Sequence, residues 1–139
     1  MKRAEKLQKL ISGCNEDPIA VSELRDSIVS DQRQYLQNVR PTIIVLADRM
    51  NKGTFDERLA LNAFDNVASV GARRYDTDDR TKKGMAGFAT PCVRAHAAKD
   101  LLEHYQSEIK ETAREIRAKG IKKVRIENDR RLEQLGRRR

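Results

Sequence analysis

Cys92, His96, Asp100 and His104 follow one another at four-residue steps in "PCVRAHAAKDLLEH". On a helix that spacing puts neighbours on one side, and thiolate, imidazole and carboxylate are ligand types that zinc takes. One helix offers only two such groups to one ion, so a closed site needs donors from a second segment. Cys14 is the sole other cysteine. The Cys–His pair does not make a nucleophile either, because an activated thiolate also needs an orienting group and donors for an oxyanion. No pattern in the chain supplies them. Polar side chains flanking an apolar stripe are the preferred account, and no metal ligand, catalytic residue or cofactor is assigned.

Two loop-like stretches fail similar tests. "DTDD", from Asp76, begins like an acidic calcium loop, but Arg80 stands where the next carboxylate belongs and no glycine follows at the required place. "KKGMAG" has lysines and glycines without the preceding strand or the GK[ST] ending of a phosphate-binding loop. The adjacent carboxylates Asp56 and Glu57 suit a helix N-terminus better than acid–base catalysis. The expectation is a protein that is not an enzyme.

Charge is the more informative signal. The chain holds 29 Lys and Arg against 21 Asp and Glu, net +8. Residues 110–139 carry 12 basic and 5 acidic side chains, net +7, leaving +1 for everything before them. Only this end has a field that could recruit an anionic partner. It closes with "GIKKVRIENDRRLEQLGRRR". Read as a helix, Ile121, Val124, Asn128, Leu132 and Leu135 share one face, with Lys119, Lys123, Arg130 and Arg137 close to the opposite one. No aromatic follows Tyr105, so the tail cannot stack on bases as single-strand binders do. Contact with phosphates, without sequence reading, is the nucleic-acid binding open to it. The residues that would make it are Lys119, Lys122, Lys123, Arg125, Arg130, Arg131, Arg137, Arg138 and Arg139. The alternative is a helix whose apolar side, Ile121, Val124, Leu132 and Leu135, docks on a partner protein or on a second copy of the chain.

These residues must be positioned by a small helical scaffold. A chain of 139 residues supports one domain, burying about two-thirds of the surface it exposes unfolded. With six aromatics and no Trp, its core rests on Leu, Ile, Val and Ala, which suits helices. Hydrophobic periodicity and capping residues lay out the order. A first helix spans about Lys2 to Ser12 and stops at Gly13. Asp17 and Pro18 start a second, running to about Val39 because Pro41 disfavours helical geometry just before itself. Thr42 to Met50 continues it with a kink or forms a new helix, stopped at Gly53. "TFDE" offers Thr54 and Glu57 as a capping box for a helix from Phe55 to about Tyr75, with Leu59, Ala60, Ala63, Phe64, Val67 and Gly71 as its stripe. Residues 76–89 read as a loop. Thr90 and Pro91 open a helix that reaches at least Lys119. "IKKVRI", at Ile121, is the sole plausible strand and it is isolated.

The fold class expected is all-α, a compact bundle of four or five helices with a long basic C-terminal helix. The division is a bundle over 1–119 and a basic amphipathic helix or tail over 120–139. Neither a disulfide framework nor a zinc ribbon is suggested by two distant cysteines, and a reducing cytoplasm is the default. The N-terminus lacks the apolar stretch of a signal peptide, and the longest apolar run, "IIVLA", is too short to cross a bilayer.

"MNKGTFDERLALNAFDNVASVGARRYD" and "ATPCVRAHAAKDLLEHY", about a third of the chain, resemble the helical pairs of small uncharacterised proteins of bacteriophages and plasmids. The resemblance rests on the KGTFD turn and the ARRY helix end. It implies a helical accessory protein of a mobile element, acting in the host cytoplasm, and transfers no catalytic residue. Two functions are therefore expected: non-enzymatic association with nucleic acid, or an interaction module such as a phage inhibitor of a host factor or a virion component.

Overall fold

The structure, a computed structural model, describes residues 18–79 and 91–137, with side chains at all of these but 74–79 and 137. Among the described residues it is all helical. Helix α1 is Pro18–Val29. Helix α2 is one continuous rod made of an α-helical turn, Gln32–Gln34, a π-helical turn, Tyr35–Val39, and an α-helical stretch, Arg40–Asn51. Helices α3, Glu57–Asp79, α4, Pro91–Lys119, and α5, Ile121–Arg137, complete the chain. The all-α class and the long C-terminal helix stand as expected. The first expected helix, the Asp17 cap, the loop residues from Arg80 onward and the Thr90 cap lie outside the described residues.

Several boundaries follow local chemistry. Pro18 and Pro91 are first helical residues, where a missing N–H costs nothing. α2 stops in a Schellman motif: Gly53 has φ +72°, its N–H donates to the Met50 carbonyl (3.2 Å), and the Thr54 N–H donates to that of Arg49 (2.9 Å). Gly120, at φ +88°, separates α4 from α5, its N–H donating to the Ile116 carbonyl (2.8 Å).

Four boundaries depart from the expected ones. The helix from Pro18 ends at Val29, and Asp31 starts the next by accepting the Gln34 N–H at 3.1 Å. Pro41 does not end a helix, because the π turn just before it widens the backbone where the proline ring would otherwise clash. The Thr54–Glu57 capping box does not form: α3 begins at Glu57, so Asp56 holds the N-cap position, and the Thr54 hydroxyl donates to the Arg49 carbonyl at 3.4 Å. Beyond Tyr75, α3 runs on to Asp79, where a loop is expected. "IKKVRI" is helical.

The chain divides into two compact units, Met1–Ser30 with Glu57–Glu103, and Asp31–Asp56 with His104–Arg139. Helix α5 falls in the second of these units. In the first unit α1 packs on α3, burying Leu24, Ile28 and Phe64 completely, with Ala95, Ala97, Ala98 and Leu101 of α4 also in its core. Leu59 of the expected α3 stripe is 40% exposed and Leu61 is buried in its place. In the second unit α5 packs on α2, and Leu36, Val39, Ile43, Ile44, Ile109 and Val124 form the core.

Candidate nucleic-acid interface

The basic face is built on α5, which the second unit holds on its apolar side. Val124 is 1% exposed and Asn128 6%. The Asn128 amide donates to the Leu36 carbonyl at 3.0 Å, placing a polar side chain inside the apolar seam with a partner for its N–H. Ile121, Leu132 and Leu135 are half-buried at the rim. Of the four residues assigned to a partner protein, Val124 is therefore taken up by the chain's own core, because α2 already covers that side of the helix.

The nine cations expected at the interface fall into three groups. Lys122, Lys123, Arg125 and Arg130 are exposed and form no ion pair among the described residues. Lys119 and Arg131 have other occupations: the Lys119 ammonium meets the Glu127 carboxylate at 3.0 Å, and the Arg131 guanidinium lies 5.8 Å from the centre of the Tyr35 ring, at the limit of a cation–π contact. Arg137 ends α5 without a described side chain, and Arg138 and Arg139 lie outside the described residues. Lys123 and Arg130, seven residues apart, stand about 10.5 Å from each other along the helix axis, roughly three 3.4 Å nucleotide steps of a duplex strand. Ile126, 43% exposed, sits between them. Asp129 and Glu133 interrupt the positive surface as exposed acids.

The same unit holds a buried polar network that no local motif announces. Arg40, 8% exposed, donates from Nη1 to Thr112 Oγ1 (2.6 Å) and Glu108 Oε2 (3.1 Å), and from Nη2 to Glu115 Oε2 (3.5 Å). The Tyr35 hydroxyl donates to the same Glu108 oxygen. Burial, then the hydrogen bond to Glu108, raises the Tyr35 pKa above the ordinary tyrosine value. Tyr105, 6.2 Å from Tyr35 between ring centres, is pushed up to about 12 by burial first and the Glu108 charge second. Both hydroxyls stay neutral near pH 7, so the network is a means of satisfying a buried guanidinium. The signal that reveals it is position: Arg40 lies three and four residues before Ile43 and Ile44, on the apolar side of its helix, and Glu108, Thr112 and Glu115 share one stripe.

Among the described residues, Cys92, His96, Asp100 and His104 do not converge as ligands of one ion. Cys92 is disulfide-bonded, which corrects the expectation of no disulfide; the other cysteine, Cys14, lies outside the described residues. Asp100 accepts from Arg25 at 3.2 Å, and His104 stands edge-on to Tyr105 with ring centres 4.7 Å apart. Among the described residues, no three His, Cys, Asp or Glu side chains converge as a metal site would require, and no helix is long and apolar enough to cross a membrane.

Compared with protein-family models, with curated proteins and with solved structures, the chain has no match in any of the three.

Proposed function

We propose that this protein associates with nucleic acid phosphates through the outward face of α5, with no enzymatic role and no reading of base sequence. The observation that carries the reading is that Lys122, Lys123, Arg125 and Arg130 are exposed and unpaired among the described residues, on a helix whose other side is occupied. A fixed helix presents its charges in one geometry, so binding does not require ordering a free tail at the same moment. The face has no aromatic side chain, which suits a duplex backbone better than unstacked bases. An accessory role in a phage or plasmid, the source that the helical-pair resemblance implies, belongs to the same proposal.

Docking of a host or virion protein, or of a second copy, on the apolar side is the weaker reading. It must make do with the half-buried rim of Ile121, Leu132 and Leu135, since Val124 and Asn128 are already engaged.

The test is binding to a short duplex across a salt series. Four neutralised phosphates give a log–log slope of roughly −3.6. Replacing Lys123 and Arg130 by Glu is expected to abolish binding with the fold intact, as surface changes usually leave it. Unchanged binding by that variant removes α5 as the interface.

A further inference from the structure

The contact between Asn128 and the Leu36 carbonyl has a cause in the covalent structure of α2. In an α-helix the Leu36 carbonyl would accept the Arg40 N–H, and in a π-helix it would accept the N–H of residue 41. Here the Arg40 N–H donates to the Tyr35 carbonyl, and residue 41 is a proline with no N–H to give. Leu36 is thus left without either donor by its own helix, inside a core where an unpartnered carbonyl is costly. The Asn128 amide fills that gap from α5 at 3.0 Å, and Asn128 is itself buried.

We infer that Asn128 is the positioning residue of the basic helix, and that Pro41 creates the acceptor that makes it so. The contact fixes two coordinates of α5. Its partner is a single carbonyl, so it sets the register of α5 along α2. Its position at the middle of the seam sets the rotation that turns Lys123 and Arg130 outward. Val124, one turn before, supplies apolar burial, but packing of that kind tolerates small slides and rotations that a hydrogen bond to one atom does not. Arg131 above the Tyr35 ring adds a second anchor on the same π turn. The functional half of this inference rests on the proposed binding of phosphates by α5; the structural half does not.

The experiment is a double-mutant cycle with two readouts, hydrogen exchange of the α5 amides and duplex affinity. Asn128→Ala leaves the Leu36 carbonyl unpaired, and exchange across 121–137 should accelerate about tenfold, the factor that corresponds to losing a buried partner. Pro41→Ala restores an N–H at residue 41 that can continue the π register to Leu36. In that background Asn128→Ala should accelerate exchange little, which a purely space-filling role for Asn128 would not produce. Equal acceleration in both backgrounds overturns the inference. Duplex affinity of Asn128→Ala should fall several-fold with the salt slope unchanged, because no cation is removed. Should Asn128→Ala leave α5 unfolded, the comparison of Pro41→Ala with the Pro41→Ala, Asn128→Ala pair still decides, since the inference requires both to retain α5. If the cycle shows coupling in exchange while affinity for the duplex stays the same, the positioning contact stands and the phosphate-binding reading is what fails.

Discussion

Arg40 shows how one side chain can commit a helix bundle to a particular pairing. Its guanidinium is nearly out of solvent, and its charge is matched by Glu108 and Glu115 while Thr112 takes a further N–H. Removing it leaves Glu108 without its cation in a half-buried setting, and the loss of one partner from such a pair is costly. Arg40→Met is expected to lower stability by about 3 kcal/mol in urea denaturation. A shift of a few tenths would mean that solvent already serves the two glutamates. Tyr105 gives a pH-dependent counterpart. Its folded pKa is about 12 against an ordinary 10.0, so between those values the folded chain holds a proton that the unfolded chain has released. Stability should therefore be complete below about pH 10 and fall progressively toward about pH 12. Tyr35 adds to this with the same sign. Thermal denaturation of Tyr105→Phe should show a shallower alkaline decline than the parent chain. At this scale the sequence is legible only in part: Asn128 falls visibly on the apolar face of α5, but its acceptor on Leu36 is 92 positions away and no local pattern points to it.

Among the elements, the boundaries that could be read early are those set by neighbours in the chain. Pro18, Gly53 and Pro91 act through their own backbone restrictions, and the helices start and stop where those restrictions say. The Ser30 break is local as well, with Asp31 capping the turn after it, whereas the π turn has no capping side chain of its own. Asp31 caps a new turn after Val29, and the π turn absorbs Pro41, so that two expected helices change their division without any change in which residues are apolar. Thr54 and Asp56 both have N-cap chemistry, and the Schellman turn at Gly53 settles the choice by drawing the Thr54 N–H and hydroxyl back to Arg49. Gly120 offers a clean test of backbone cost. A Cβ there would meet nothing within 4 Å, yet φ is +88°, so Gly120→Ala should destabilise by about 1 kcal/mol through conformation alone. Gly136 is equally open but has no positive φ, and Gly136→Ala should be neutral or stabilising by up to about 1 kcal/mol. Urea midpoints moving in the same direction for both would show that the left-handed turn after Lys119 is not what ends α4.

For the molecule as a whole, charge follows the units. The unit of residues 31–56 and 104–139 carries 16 Lys and Arg against 9 Asp and Glu, net +7; the unit of residues 1–30 and 57–103 carries 13 against 12, net +1. The sequence places this excess near the C-terminus, and the fold shows that α5 is one wall of a packed unit and not an appendage, a distinction that depends on α2 lying against it and so could not be read from the tail alone. At 0.15 M salt a charge is felt over about 8 Å, so a cation's value to an anionic partner depends on which surface it shares. Lys99, exposed on the first unit, and Arg130, exposed on α5, are single cations of equal formal charge. Reversing either changes the net charge from +8 to +6. If attraction to a duplex were a matter of net charge, the two reversals would weaken binding equally. The α5 interface instead requires that Lys99→Glu leave the salt slope and the affinity close to those of the parent chain, and that Arg130→Glu lower the magnitude of the slope by about 1 and the affinity with it. Fluorescence anisotropy of a labelled duplex, titrated with each variant at three or more salt concentrations, separates these outcomes. Equal losses would mean that the chain's affinity is diffuse and that α5 has no special part in it.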